Sequence, residues 1–160
     1  MTLELATHTF VLQINDKPGA MELIAAAFAQ RGVSLSTTLG ADSALSETGR
    51  GKILLTFSAT HAKKEVLRRA LLRLSRVHSL EEYPSDSPLL RKTALLRLAP
   101  EAPAPALPNG CGTVERVAQG EESGEATYLV AGMALEVDKL LEELRAKELL
   151  RDVTQTTLAL

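Results

Sequence analysis

The sequence contains one cysteine, Cys111, no tryptophan and few aromatic residues of any kind. A single cysteine excludes a disulfide within the chain, and this is typical of a protein from a reducing compartment, so we expect a cytoplasmic location. With only 3% aromatic residues, the strands lack a surface on which nucleic-acid bases could stack. The net charge of −2, without a sustained basic block, also argues against nucleic-acid binding.

Long apolar runs are absent as well. No window reaches the run of about 18 apolar residues that a membrane span requires. The first residues lack the basic region and long apolar run of a signal peptide. We therefore expect no association with a membrane. The 160 residues, of which 45% are apolar, are enough for one domain or two small ones.

Residues that would support metal binding or catalysis are scarce. The histidines His8, His61 and His78 lie far apart and match no metal-ligand spacing. Cys111 has no histidine near it in the sequence that could activate its thiol. The chain has no phosphate-binding loop, no dinucleotide fingerprint and no Gly-x-Ser-x-Gly elbow. We expect no metal, no cofactor and no catalytic residues.

The most informative stretch is Asp16-Lys17-Pro18-Gly19-Ala20-Met21. It separates a strand pattern over residues 10–14 from a helical pattern over residues 23–31. Pro18 suits the first turn of a helix, Asp16 is placed to cap it, and Gly19 would let a ligand approach the backbone. The free N–H groups of such a helix end can bind a carboxylate. The alternative is a well-capped corner between a strand and a helix that binds no ligand.

The rest of the first half completes a β-α-β-β-α-β pattern, which is the ferredoxin-like arrangement. Further strands are predicted over residues 33–39, 52–57 and 77–83, with a polar loop over residues 40–51. A second helix is predicted over residues 61–74, capped by Ser58 or Thr60. In the second strand, Val33, Leu35 and Thr37 are predicted to share one face. The predicted apolar helix faces comprise Ala20, Leu23, Ile24, Ala27 and Phe28, and then Val66, Leu67, Ala70, Leu71 and Leu74.

The second half repeats this pattern with one element missing. A strand over residues 93–98 is followed by a segment rich in proline, which excludes a helix there: Pro100, Pro103, Pro105 and Pro108. A hairpin is predicted over residues 112–119 and 126–131, a helix over residues 135–147 and a last strand over residues 153–158. We therefore predict an α+β protein with a ferredoxin-like domain (1–83), a linker (84–90) and a smaller α/β domain that lacks its first helix (91–160).

The stretch over residues 16–21, followed by Phe28-Ala29-Gln30-Arg31-Gly32-Val33-Ser34-Leu35, resembles an ACT domain. ACT domains are small ferredoxin-like modules that sense amino acids and regulate metabolic enzymes. The whole chain resembles, more specifically, the regulatory small subunit of acetolactate synthase. That family has an N-terminal ACT domain, a short linker and a smaller C-terminal α/β domain. A similar run occurs here at residues 127–132, followed by residues 137–141 and the final strand.

The resemblance implies a non-catalytic regulatory subunit in branched-chain amino-acid biosynthesis, which forms a homodimer and binds the catalytic subunit of acetolactate synthase. It also implies that valine, leucine or isoleucine binds where two ACT domains meet. Carried over by position, the site comprises Asp16, Lys17, Pro18, Gly19, Ala20 and Met21 of one protomer and Ser34 of its partner. Backbone groups of Gly19, Ala20 and Met21 would meet the carboxylate, and Asp16 would cap the turn or meet the ammonium.

Two other interpretations remain open. Asp16 and Ser34 stand where small subunits usually have asparagine, so one alternative is a free-standing ACT protein that senses a different amino acid. The other is a structural interaction module whose ligand site is inactive. The outer side of the second helix is basic and is either a solvated face or a dock for an acidic surface on the catalytic subunit. Its cations are Lys63, Lys64, Arg68, Arg69, Arg73 and Arg76.

Overall fold

The computed structural model describes residues 4–159 apart from 42, 43, 45, 46 and 48. The chain divides into two compact units, Met1–Ser85 and Asp86–Leu160. Each unit contains one four-stranded antiparallel sheet. The predicted loop over residues 40–51 lies partly outside the described residues.

The first unit has the predicted ferredoxin-like order of elements. These elements are β1 (Ala6–Ile14), α1 (Ala20–Ala29), β2 (Leu35–Ala41), β3 (Gly51–Ala59), α2 (His61–Leu72) and β4 (Val77–Tyr83). The strands lie in the order β2-β3-β1-β4, so the two strands at the centre of the sheet are β1 and β3. Their side chains facing the helices are apolar and buried, and Val11, on the opposite face of β1, is buried as well. Burial on both faces explains why β1 is a nearly continuous apolar run.

The core of the first unit is built around Phe57 of β3. The ring of Phe57 lies edge-on to Phe10, at 4.9 Å between centroids, and to Phe28 of α1, at 5.0 Å. Such edge-to-face pairs add stability beyond the burial of their area. The two helices cover this cluster with Ala20, Ile24, Ala27, Phe28, Leu67 and Leu71.

Three residues of the predicted apolar helix faces are not in this core: Leu23, Val66 and Ala70, of which Ala70 is half-buried. Leu23 of α1 is 42% exposed and Val66 of α2 is 46% exposed, so their assignment to the buried faces was wrong. A helix contacts a sheet along a narrow stripe, and residues at the flank of an apolar face stay outside it. Leu23 and Val66 instead line a groove between the two helices.

The second strand also differs from the prediction. Leu35 pairs with Phe57 and Thr37 pairs with Thr56, with an irregularity in β2 between them. Residues directly opposite each other share a face of the sheet, whereas Thr56 and Phe57 are consecutive and point to opposite faces. Leu35 and Thr37 therefore lie on opposite faces. A bulge of this kind changes the period of a strand and is not visible in its alternation of residues.

The second unit repeats the first without a helix after its first strand, as predicted. Its elements are β5 (Leu90–Leu98), β6 (Gly112–Gln119), β7 (Ala126–Met133), α3 (Ala134–Ala146) and β8 (Leu150–Ala159). The strand order β6-β7-β5-β8 matches the order in the first unit, element for element. Residues 99–111 form an irregular segment in place of the helix, and Ala102 and Leu107 pack against the core from it.

The connection between the units runs from the end of β4 at Tyr83 to the start of β5 at Leu90. Leu90, the last residue of the predicted linker, is therefore the first residue of a strand. Among the described residues, no helix has the length and apolar character needed to cross a membrane.

Candidate functional site

The chain turns from β1 into α1 through a tight turn at residues 17–20. The N–H of Ala20 donates a hydrogen bond to the carbonyl oxygen of Lys17 at 3.2 Å. Gly19 has φ 85° and ψ −2°, the values of the third residue of a type II turn, and Pro18 occupies the second position. Both residues are favoured there because proline fixes its own φ and glycine tolerates the positive one.

The start of α1 differs from the prediction in two ways. The N-cap residue is Gly19, and no side chain in the described part of the chain caps this end, so the prediction that Asp16 caps the helix was wrong. Asp16 lies three residues too early, because the turn stands between it and the helix. Its side chain instead lies against Gly51, where an added Cβ would come within 3.2 Å of the Asp16 Cβ. Pro18 also precedes the cap and is not in the first helical turn.

Uncapped N–H groups remain at this helix end. The first intrahelical hydrogen bond runs from the N–H of Leu23 to the carbonyl oxygen of Gly19, at 3.2 Å. The N–H groups of Met21 and Glu22 lie ahead of it, and no side-chain oxygen of a described residue accepts from them. They point out of the helix at the positive end of its dipole, where an anion is stabilised. Glu22 in this first turn is exposed, and the helix dipole stabilises its negative charge in the same way.

A cavity of about 590 Å³ opens beside this helix end, within the range of about 300–1,000 Å³ that is usual for small-molecule sites. All six predicted loop residues line it. Sequence reasoning missed the other half of its wall, which comes from the ends of three strands: Ile14, Gly40, Ala41, Gly51, Lys52 and Ile53. The predicted hairpin of the second and third strands brings Gly40 and Ala41 beside residues 51–53, but only the strand order, with β3 next to β1, brings them to the loop.

The cavity combines apolar and charged walls. Ile14, Ile53 and Met21 provide aliphatic surface, and the charged groups are Asp16 and two lysines, Lys17 and Lys52. None of the three charged side chains forms an ion pair with a described residue. Their charges are therefore available to a ligand that carries both signs.

The loop is anchored on the side away from the helix. Asn15 donates its backbone N–H to the carbonyl oxygen of Arg76 at 2.8 Å, and its side-chain oxygen lies 2.7 Å from Nε2 of His78. Both contacts tie the end of β1 to the start of β4. They fix the entry of the chain into the turn, so the site is held in place before a ligand arrives.

Ser34 is not brought to this cavity within one protomer. It lines a smaller cavity of about 350 Å³ at the other end of α1, together with Phe28, Gly32 and Leu35. The resemblance placed Ser34 on the partner protomer, so its part in the site stays a prediction.

Comparisons with known proteins agree with this architecture. No model of a known protein family matches the chain. The acetolactate synthase small subunit of Mycobacterium leprae is 29% identical over 99 residues, which cover 61% of this chain and 57% of that protein. The protein of the same name from Mycobacterium bovis is 28% identical over 97 residues, covering 60% and 56%. The matched region thus spans little more than half the length of these relatives.

A solved structure extends the likeness in fold to almost the whole chain. The acetolactate synthase small subunit from Thermotoga maritima superposes with a TM-score of 0.63 at 18% identity, covering 97% of this chain and 96% of that one. At this identity, the superposition is informative about the fold alone. The predicted resemblance is confirmed: the chain is similar to acetolactate synthase small subunits in sequence over about three-fifths of its length and in fold over nearly all of it.

Proposed function

We propose that this chain is a non-catalytic regulatory subunit of acetolactate synthase that binds valine, leucine or isoleucine at the cavity beside α1. The observation that carries the proposal is the uncapped helix end: all six loop residues line one cavity there, in a chain similar to small subunits of that enzyme. A cytoplasmic location is part of the proposal, in keeping with the free thiol of Cys111.

The walls of the cavity fit the three parts of an aliphatic amino acid. The carboxylate accepts from the N–H groups at the start of α1, where the helix dipole adds to the hydrogen bonds. The ammonium faces the carboxylate of Asp16. The aliphatic side chain lies along Ile14, Ile53 and Met21, where burial of its apolar surface supplies the remaining affinity.

The proposal includes a homodimer, because β2 and β4 are edge strands of the first sheet and present unpaired backbone groups. The partner protomer brings Ser34 to the ligand. A ligand held between two protomers binds one arrangement of the pair more tightly than others and shifts the population towards it. An enzyme subunit bound to that pair responds to the same shift, which is allosteric coupling by linkage.

The ligand half of the proposal is tested by thermal unfolding of the purified chain with each standard amino acid. At a hundred times its dissociation constant, a ligand stabilises the folded state by about 2.7 kcal/mol, which raises Tm by several degrees. Valine, leucine or isoleucine should give this shift. A chain that responds to none of the amino acids, alone or with a catalytic subunit, would have an inactive site.

Two variants of Gly19 test whether the carboxylate of the ligand binds at the start of α1. Gly19→Asp places a negative charge at the helix end and should abolish the shift, whereas Gly19→Asn has almost the same shape without the charge and should keep a weakened one. Both residues tolerate the left-handed conformation better than other side chains do. An undiminished shift in Gly19→Asp would mean that the ligand carboxylate binds elsewhere.

The partner half is tested by mixing the chain with the catalytic subunit of acetolactate synthase from the same source and measuring activity with and without valine. The proposal expects a stable complex whose activity changes with valine. Absence of a complex, together with a thermal response to an amino acid, would favour a free-standing sensor.

One observation favours a second candidate ligand. Lys52 lines the cavity and has no ion-pair partner among the described residues, so it could meet a second carboxylate. An acidic amino acid would use it, and a free-standing sensor of such a ligand is the alternative function. The thermal screen distinguishes the two, because glutamate or aspartate would then give the largest shift, and Lys52→Met would remove it.

A further inference from the structure

A second concave surface lies on the first unit, in the groove between α1 and α2. It has a volume of about 410 Å³ and is lined by residues of both helices and of the turns that follow them, from Leu23 to Arg31 and from Val66 to Leu74. At 1.5 Å per residue this gives the groove a length of about 12 Å. Its apolar lining includes Leu23 and Val66, two of the large apolar side chains of these helices that are exposed. None of these residues belongs to the cavity at the start of α1.

The charged lining of this groove is of one sign. Among the described residues it contains Arg31, Arg69 and Arg73 and no carboxylate. None of the three forms an ion pair with a described residue. The Nε of Arg31 is buried without a hydrogen-bond partner in the described part of the chain, although Nη1 of the same side chain donates to the carbonyl oxygen of Ala27 at 2.7 Å.

The buried lysine of α2, Lys64, differs from the groove arginines because it has an ionic partner. Lys64, also on α2, is 7% exposed and donates to Glu82 at 2.5 Å. It was predicted to lie on the basic outer side of this helix, and that assignment was wrong. Lys64 is therefore paired, whereas the groove arginines have no counterion among the described residues. Arg69 and Arg73 are four residues apart, so they lie one above the other on the helix and repel each other.

We propose that this groove docks an acidic, amphipathic segment of a partner protein. Carboxylates of the segment bind the three arginines, and an aliphatic side chain covers Leu23 and Val66. A free dicarboxylate would satisfy the charges and leave the apolar lining in water, whereas a peptide covers both along the length of the groove. With the proposed function, on which the identity of the partner rests, the segment belongs to the catalytic subunit of acetolactate synthase.

The test compares two charge reversals on the same helix. The double variant Arg69→Glu, Arg73→Glu changes the groove, and the control Lys63→Glu, Arg68→Glu makes the same change in net charge outside its lining. Arg69, Arg73 and Lys63 are exposed, so the fold should tolerate their reversal, and circular dichroism checks this. Binding of the full chain to the catalytic subunit is measured by calorimetry at low and moderate salt.

We expect the groove variant to weaken binding at least tenfold and the control by less than twofold. The inference is overturned if wild type binds and the two variants weaken it equally, and the proposed function then stands. If wild type does not bind the catalytic subunit, the proposed partner is wrong, and a peptide probe tests the groove alone.

That probe is a synthetic peptide of alternating leucine and glutamate pairs, compared with its glutamine counterpart and with free glutarate. In an NMR titration, the acidic peptide should shift the amide signals of residues 23–31 and 66–74, and neither comparison compound should do so. Shifts at other positions, or equal shifts with glutarate, would overturn the proposal of a peptide-binding groove.

Discussion

At the scale of single residues, Gly19 sets the shape of the site. Its φ of 85° makes the turn between β1 and α1 possible, and an added Cβ would meet nothing within 4 Å. A substitution there is therefore costly because of the backbone conformation and not because of a collision. The effect of a Gly19 substitution on the free energy of unfolding can therefore be measured separately from its effect on ligand binding.

We expect Gly19→Ala to lower the free energy of unfolding by about 1 kcal/mol, since a Cβ disfavours the left-handed conformation by roughly that amount. Chemical denaturation with and without ligand measures it. Gly40→Ala is the control: Gly40 also lines the cavity and faces open space, but its φ is not in the left-handed region. Equal stability of the two variants would contradict the argument from φ.

The buried cation Lys64 gives a prediction that depends on pH. The hydrogen bond to Glu82 raises the pKa of Lys64 above its ordinary value, although burial acts in the opposite direction. Because the pKa is raised in the folded state, the pair stabilises the fold fully below the unfolded pKa of about 10.4. That stabilisation is lost as the pH rises through the folded pKa.

Glu82→Gln should therefore lower the free energy of unfolding by about 1–3 kcal/mol near neutral pH, because Lys64 keeps only Glu65, at 3.4 Å, as an ionic partner. The difference from wild type should shrink above about pH 10.4. Glu81→Gln is the control on the same strand: it removes the charge of an exposed side chain that accepts a hydrogen bond from Tyr83, and it should change stability by less than about 0.5 kcal/mol. If the difference in free energy of unfolding between wild type and Glu82→Gln stayed constant up to high pH, Lys64 would not be its source.

At the scale of elements, the start of α2 shows how the fold selects between two equivalent candidates. The sequence offered Ser58 and Thr60 as caps. Thr60 is the N-cap, with its Oγ1 accepting from the N–H of Lys63 at 3.3 Å, and Ser58 is exposed within β3. Because β3 extends to Ala59, Ser58 lies within the strand and Thr60 is the residue in position to cap α2. The sequence did not decide between them because the ends of elements are poorly defined by local sequence.

Thr60→Ala should destabilise the first unit by about 1 kcal/mol because one N–H of the helix start loses its acceptor. Ser58→Ala, which removes the same hydroxyl chemistry two residues earlier, should leave stability nearly unchanged. Thermal unfolding of the two single variants measures both effects. A larger loss in Ser58→Ala would mean that the helix begins earlier than residue 61.

The order and type of elements follow from the sequence because the helices have apolar residues at steps of three and four, whereas the strands are short and bounded by turn residues. The prolines of residues 99–111 exclude a helix on local grounds. The features that could not be predicted depend on tertiary pairing. The bulge between Leu35 and Thr37 arises from register with β3, and the place of Lys52 in the cavity arises from strand order. The cap at Gly19 could have been predicted, because Lys-Pro-Gly is favourable for a type II turn and thus places the helix start after it.

At the scale of the whole molecule, the chain is a repeat in which one copy has lost a helix. The two cores are separate in sequence: the described residues of one lie within residues 10–80 and those of the other within residues 94–153. In the first, two helices cover the sheet. In the second, α3 and the irregular segment carrying Ala102 and Leu107 cover it, and an irregular segment gains no cooperativity from internal hydrogen bonds.

This difference predicts how the chain behaves when it is divided at Ser85. Residues 1–85 expressed alone should unfold cooperatively and keep the response to the amino acid, since the whole proposed site, including Ser34, lies within them. Residues 86–160 should unfold at a lower temperature or fold only in part, because small domains are marginal even with a complete core. Calorimetry of each fragment, with the intact chain as control, measures both. If residues 1–85 fold but lose the ligand response, the second unit contributes to binding, and the proposed site is incomplete.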